Sequence, residues 1–301
     1  MYDLIIIGGG PAGLTAAIYA IRKRLNVLLL TKDLGGKTNF RLALPWIQEY
    51  QVVRGLEVVN KFRSELEYLE FARHMDDVEK VSGKNGGFTV KTKSGADLEA
   101  KAVIIATGAR QVRMGIPGEK EFTMKGLCYS ALSYAPLFID KTTAVIGDGD
   151  LALRSGAELA TVARHVYMVG AGEKMLATPI GKKLASAANV SILKGCEVVE
   201  VKGDEYARAL CLKDSSGKTV EYTTDAIFVE KALTPNSDMV KDIVKLDERG
   251  RIIIDDANRT SVPGVFAAGD VTNGFAEQVL IAVGEGAKAA LSAYEFLLPM
   301  L

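Results

Sequence analysis

At 301 residues the chain is long for a single hydrophobic core, so two domains are expected. Hydrophobic residues at 48% and charged ones at 25% describe an ordinary globular protein, and 37 basic against 37 acidic side chains leave no net field to draw nucleic acid or an anionic membrane. The 3 cysteines, Cys128, Cys196 and Cys211, are odd in number and far apart, with no Cys-x-x-Cys and no histidine cluster, which argues against a disulfide framework or zinc site and makes a reducing cytoplasm the expected compartment.

The chain opens on Asp3-Leu4-Ile5-Ile6-Ile7, an apolar, β-branched run that reads as a buried parallel strand. It leads through Gly8-Gly9-Gly10-Pro11-Ala12-Gly13 into an apolar helix that takes in Leu14 to Ala20. Gly8, Gly10 and Gly13 have the spacing of a dinucleotide fingerprint. The first glycine permits the tight turn, the second lets backbone approach a pyrophosphate, and the third allows close helix packing. Glycine and proline in the middle of this stretch, with no basic leader, argue against a signal peptide or a membrane span.

A second strand runs from Asn26 to Leu30 and ends at Thr31-Lys32-Asp33. An acidic residue here would hold an adenosine ribose, but Asp33 lies past the strand end, so Thr31 and Lys32 are equal candidates for the adenosine's neighbours. Leu34-Gly35-Gly36-Lys37-Thr38-Asn39 is a glycine loop, either close to a ligand or an ordinary surface turn. Gly55 to Phe71 has Leu56, Val59, Phe62, Leu66 and Leu69 on one side of a helix. Phe88 to Thr92 alternates with period two, and Lys101 to Ala109 reads as a buried strand. Its small-residue end, Ala106-Thr107-Gly108, suits backbone pressed against a cofactor.

The pattern then repeats. Thr143-Ala144-Val145-Ile146 leads into Gly147-Asp148-Gly149-Asp150-Leu151-Ala152, with Ala152 in the third glycine's place, and His165 to Val169 is the next strand. Ala207 to Lys213 and Thr219 to Thr223 form a meander, and Ala226-Ile227-Phe228-Val229 echoes Val103 to Ala106. Duplicated nucleotide-binding units explain this arrangement. Val265-Phe266-Ala267-Ala268-Gly269-Asp270 ends a strand in Gly-Asp, and a helix from about Gln278 to Leu297 closes the chain.

The amino-terminal glycine fingerprint, Ala106-Thr107-Gly108 and Val265 to Asp270 together resemble the flavoproteins with two dinucleotide-binding domains. Their order, and Gln278-Val279 after Asp270, are similar to the low-molecular-weight thioredoxin reductases and the flavoprotein of alkyl hydroperoxide reductase. The resemblance covers essentially the whole chain. It implies an α/β fold of two Rossmann-like domains, each with a parallel sheet and a small β-meander. The FAD-binding domain would be discontinuous, residues 1–112 and 246–301, with an NAD(P)-binding-like domain, 113–245, inserted. It implies FAD at Gly8, Gly10, Pro11, Ala12, Gly13, Gly35, Gly36, Lys37, Asn39, Ala106, Thr107, Gly108, Gly269, Asp270, Gln278 and Val279. A second nucleotide would sit at Gly147, Gly149, Asp150, Leu151 and Ala152, and a homodimer is the assembly expected.

Chemistry accounts for Asp270. A carboxylate after a strand end can accept hydrogen bonds from ribityl hydroxyls, or cap a helix, and the start of the last helix can stabilise negative charge on a reduced flavin.

Departures from that family shape the expected function. Ser130-Ala131-Leu132-Ser133 stands where the family carries its Cys-x-x-Cys, and serine forms neither a disulfide nor a charge-transfer thiolate. Cys128, two residues upstream, is open to two readings, a reactive thiol or an inert core residue. Arg154 replaces a helix glutamate. Gly170-Ala171-Gly172-Glu173-Lys174 lacks both the arginine pair that suits NADP and the strand-end acid that suits NAD. Arg154 and Lys231 are either solvated charges or the lining of a pocket for another anion. Pro45-Trp46 replaces an asparagine and its aromatic neighbour, and Trp46 packs either near a flavin or in a core.

Three functions follow. The first is an FAD-dependent oxidoreductase passing electrons from a reductant, nicotinamide or other, to a small-molecule or redox-protein acceptor that is not a disulfide. The second is a flavin- or nucleotide-binding regulatory protein without turnover. The third is a disulfide reductase using Cys128 with an external thiol.

Overall fold

A computed structural model describes residues 1–47, 55–84 and 86–301. The chain opens with β1 (Tyr2–Ile7), α1 (Pro11–Arg22), β2 (Val27–Thr31), α2 (Leu56–Tyr68), β3 (Arg73–Met75), β4 (Val78–Lys84), β5 (Gly87–Thr92), β6 (Asp97–Ile105) and β7 (Ala109–Gln111). Its middle begins with α3 (Glu119–Phe122), β8 (Leu127–Cys128), α4 (Ala131–Tyr134), β9 (Thr142–Ile146), α5 (Asp150–Leu159), β10 (His165–Val169), α6 (Glu173–Leu176) and α7 (Pro179–Ser186). There follow β11 (Val190–Leu193), β12 (Glu197–Gly203), β13 (Ala207–Lys213), β14 (Thr219–Thr223), β15 (Ala226–Val229) and β16 (Leu233–Pro235), and then β17 (Val265–Ala267) and α8 (Val279–Leu297).

The chain divides into two compact units. One comprises Met1–Asn39, Val53–Arg110 and Thr234–Leu301, the other Phe40–Val52 and Gln111–Leu233. In the first, β3, β2, β1, β6 and β17 form a parallel sheet, and β5 and β4 continue it antiparallel from the other end of the long strand β6. In the second, β11, β10, β9, β15 and β8 form a parallel sheet and β12, β13 and β14 an antiparallel one. This is the α/β architecture with two Rossmann-like parallel sheets that the sequence implies.

Strand periodicity divides each apolar run between two cores. Leu4 and Ile6 of β1 join Phe266 and the helices α1 and α8, while Ile5 and Ile7 face the side that holds Val81, Val90 and Val265. In the second unit Val145 packs toward α5 and α7, and Ala144 and Ile146 pack toward Val201 and Leu210 of the antiparallel sheet.

The unit boundaries differ from those read in the sequence. Residues 234–245 lie with the first unit because Val240 and Val244 are buried in the core of Val81 and Val265. Leu44 and Trp46 lie with the second, where Trp46 meets Phe138 edge-on at 5.9 Å and Lys141 lies 4.3 Å above its ring. Trp46, whose place the sequence left open between two surroundings, is half-buried and packs against the core of the second unit. The strand expected from Lys101 to Ala109 stops at Ile105, and the polypeptide bends through Gly108 at φ +65°. Among the described residues, no helix is long and apolar enough to cross a membrane and no group of His, Cys, Asp and Glu could hold a metal ion.

Candidate functional site

The first glycine turn is shaped by what its neighbours leave no room for. Gly8 adopts φ +110°, and a Cβ there would collide with the Ala106 carbonyl; one on Gly13 would collide with the Gly8 carbonyl. These two glycines let β1, β6 and α1 close on one another. Gly10 differs, since a Cβ on it meets nothing within 4 Å. Gly10 is the N-cap of α1 and has no side-chain cap, and Pro11 contributes no amide, so the amides of Ala12 and Gly13 belong to a first turn that has no acceptor within the helix.

Three further segments gather around this opening. The Gly35 amide donates to the Gly9 carbonyl at 2.7 Å, and a Cβ on Gly36 would come within 3.2 Å of Gly10 Cα, so the second glycine loop lies against the first. Asp33 organises that loop from inside, accepting from the Gly36 amide at 2.8 Å, while Asn39 donates to the Leu34 carbonyl at 3.0 Å. A Cβ on Gly269, at the exit of β17, would lie 3.2 Å from Ala12 Cβ. Across the opening Lys37 Nζ pairs with Asp270 Oδ2 at 2.9 Å. Helix α8 runs close to α1, with Gly286 against the Ala12 backbone, and Gln278 is its uncapped N-cap, so the amide of Val279 starts a second helix N-terminus in this unit.

Other candidates are placed as follows. Ala106 is buried against the first turn. Thr107 donates to the Asn236 carbonyl at 2.6 Å, and Asn236 in turn donates its side-chain and backbone N–H groups to the carbonyls of Thr107 and Gly108, both at 2.9 Å. Thr31 is buried and donates to the Asp33 carbonyl at 2.8 Å. Lys32 turns away to Asp77, 2.8 Å distant. Glu285 of α8 was missed in the sequence; its carboxylate accepts from the Gly269 amide at 2.7 Å, and the one local signal was an acid flanked by Gly284 and Gly286.

The donor set fits FAD. A diphosphate needs free amides at a helix N-terminus with side-chain-free backbone in front of them, which Gly10, Ala12 and Gly13 supply. A polyol chain needs an acceptor beside it, which Asp270 supplies, and Lys37 adds a positive charge at the same place.

The second unit repeats the turn with one exchange. A Cβ on Gly147 would collide with the Glu230 carbonyl and lie 2.8 Å from Ala152 Cβ, so alanine serves in the third place because Gly147 has no side chain. Gly149 is the N-cap of α5 and is open in front, and Asp150 and Leu151 form the helix's first turn. Gly170, just after β10, adopts φ +91° and lies against the Gly147 carbonyl, where a Cβ would come within 3.0 Å. Arg154 is exposed and lines a cleft of about 250 Å³ with Asp150, Leu153, Thr178, Pro179 and Ile180. Lys231 is half-buried and Ala232 exposed.

Where the resembled family carries its dithiol, Ser130 donates to Ser133 at 3.0 Å at the start of α4. Cys128 is fully buried, and burial pushes its thiol well above the usual range, with a small further push from Glu230. Glu230 is itself buried. It accepts from the Ala131 amide at 2.5 Å through Oε1, while Oε2 and the neighbouring Ser155 hydroxyl lack partners among the described residues. Burial raises its carboxyl above the usual value, and the Ala131 amide opposes this.

Known proteins match this geometry. A family model described as pyridine nucleotide-disulphide oxidoreductase matches residues 2–286. The F component of alkyl hydroperoxide reductase from Pseudomonas aeruginosa is 38% identical over 306 residues, covering 99% of this chain and 58% of that protein. Its counterpart in Staphylococcus aureus is 35% identical over 303 residues, covering 99% and 59%. The chain therefore spans little more than half the length of these curated relatives. Among solved structures, thioredoxin reductase from Streptococcus pyogenes superposes with a TM-score of 0.87 at 31% identity, covering 99% of both chains. That of Giardia duodenalis gives 0.85 at 29% identity, again covering 99% of both.

Proposed function

This chain belongs to the pyridine nucleotide-disulphide oxidoreductase family and is a flavoprotein oxidoreductase with FAD as its cofactor, and on that premise we propose that its flavin passes electrons directly to an acceptor that is not a disulfide. The observation that carries this reading is the Ser130–Ser133 turn. It holds no thiol, and the one cysteine beside it, Cys128, is sealed in the core with its thiol held protonated. A disulfide relay needs a thiolate within reach of the flavin and a second sulfur to resolve it.

FAD, when bound, supplies a carrier that accepts a pair of electrons and can release them together or singly. The residues around it have separable tasks. The Ala12 and Gly13 amides and the positive end of α1 would hold the diphosphate. Asp270, kept paired by Lys37, would accept from the ribityl chain. The α8 N-terminus at Val279 would stabilise negative charge on the reduced ring system. Gly147, Gly149, Asp150, Leu151 and Ala152 would receive the pyrophosphate of a nicotinamide donor, and the loop after β10 leaves the choice between NADH and NADPH to that donor's other contacts.

The test is anaerobic stopped-flow reduction of the flavin by NADH and by NADPH, followed by reoxidation with a ferredoxin-like protein, a quinone or a protein disulfide. Rapid reoxidation by the first two and none by the disulfide is expected. Disulfide reduction as fast as flavin reoxidation would refute the reading. A second reading draws on the relatives, whose names are those of thioredoxin and alkyl hydroperoxide reductases. It makes Cys128 the entry point for an external thiol, and disulfide reduction abolished in Cys128→Ala would establish it.

A further inference from the structure

Lys37 holds the Asp270 carboxylate directly, and Glu285 and Thr272 hold the turn that carries it. Lys37 pairs with that carboxylate from the second glycine loop at 2.9 Å. Glu285, 6 residues into α8 from Val279, reaches back to the loop that carries it. Its Oε2 accepts from the Gly269 amide at 2.7 Å and lies 3.5 Å from the Thr272 hydroxyl, which donates to the Gly269 carbonyl at 2.9 Å. The loop has little freedom around this carboxylate. Gly269 sits at φ +79° with Ala12 close by, and a Cβ on Gly274 would lie 2.7 Å from Glu285 Oε1.

We infer that Glu285 is a positioning residue of the flavin site. It fastens the Gly269–Thr272 turn to α8 so that Asp270 is presented to the cofactor in one orientation, with Lys37 securing the carboxylate from the opposite side. Glu285 itself is spent on Gly269 and Thr272, and its effect reaches the cofactor through Asp270 alone. Such a support sets how long a bound group stays, because a polar contact off by a fraction of an ångström loses most of its value. The assignment rests on FAD being held by the first unit and is independent of which acceptor takes the electrons.

The arrangement also explains why an acid occupies a half-buried position of α8. Burial pushes the Glu285 carboxyl above its usual range, with Asp270 adding to the push and the Gly269 amide, Lys288 and Thr272 opposing it. A carboxyl held in so unfavourable a place is retained for the bond it makes.

The experiment measures flavin release from the holoprotein, as the rise of flavin fluorescence on dilution, in wild type, Glu285→Gln, Glu285→Ala, Asp270→Asn and the double variant Glu285→Ala/Asp270→Asn. Release about tenfold faster in Glu285→Ala is expected, with Glu285→Gln, which keeps an acceptor for the Gly269 amide, within about threefold of wild type. In the Asp270→Asn background, Glu285→Ala should add less than about threefold, because the residue it positions is already altered. Wild-type release in Glu285→Ala overturns the assignment. So does an effect equally large with and without Asp270, or failure of Glu285→Ala to fold, either of which marks Glu285 as structural only.

Discussion

Glu230 offers the most exacting test of the second unit. Its carboxyl is buried, accepts one hydrogen bond and is held above its usual value of 4.5 chiefly by burial. The consequence for stability has a definite sign. Below pH 4.5 both folded and unfolded chains carry the protonated acid, and the site imposes no proton-linked cost. As pH rises above that value the unfolded chain ionises while the folded one does not, so stability falls until the folded carboxyl titrates. The limiting slope is about 1.4 kcal/mol per pH unit. Glu230→Gln removes this loss while keeping an acceptor for Ala131 and offering a donor to Ser155. It should therefore gain on the wild type as pH is raised above 4.5, until the folded carboxyl titrates. Glu230→Ala instead strands the Ala131 amide in the core, and should lose about 1–3 kcal/mol for that bond alone. Trp46 is the chain's 1 tryptophan and packs in the second unit against Phe138, so its fluorescence during urea unfolding reports on this unit specifically. A Glu230→Gln advantage that does not change with pH, or one that shrinks as pH rises, would refute the reasoning.

Other outcomes follow from the same geometry. Gly10→Val places a side chain where the structure has open space, at a backbone conformation any residue adopts, so the apoprotein should melt within about 1 kcal/mol of wild type while FAD affinity falls at least about tenfold in a fluorescence titration. In native protein a chromogenic disulfide should titrate Cys196, which is half-exposed, and leave Cys128 and Cys211 unreacted until the chain is unfolded; rapid native labelling of Cys128 would support the thiol-based reading. Asp3 is partly buried, which opposes its ionisation, but the Lys101 ammonium at 2.8 Å and the Asn26 amide hold its carboxyl below the usual 3.8. Its contribution is present above pH 3.8 and lost as pH falls through the lowered value, so Asp3→Asn should cost roughly 0.5–1.5 kcal/mol at pH 7 and nothing in strong acid, measured by urea unfolding.

The acceptor question turns on a small region of the second unit. Glu230 holds the start of the Ser130–Ser133 turn through the Ala131 amide, and Cys128 lies in the core beside it. Replacing two serines would restore the letters of a dithiol motif without freeing the turn from that buried acid.

Local patterns were legible in the chain because they depend on neighbours a few residues away. The apolar runs of β1, β9, β10 and β15, the two glycine turns and the closing helix stand where strand and helix periodicity put them, to within a residue or two. So do the two parallel sheets, since each strand-turn-helix unit carries its own instructions. The exchange at Ala152 was also readable, though its reason, the missing Cβ of Gly147, was not.

What only tertiary structure decided involves partners far apart along the chain. Lys37 and Asp270 are separated by 233 positions, and no pattern in either stretch announces that they pair. The hold of Glu285 on Gly269, the packing of Trp46 in the second unit and the capture of residues 234–245 by the first each depend on which buried surface was left for them once the sheets had formed. Periodicity determines which residues turn inward; the neighbour an inward side chain meets is settled by close packing, where a polar group must find a partner or bear the cost of going without one.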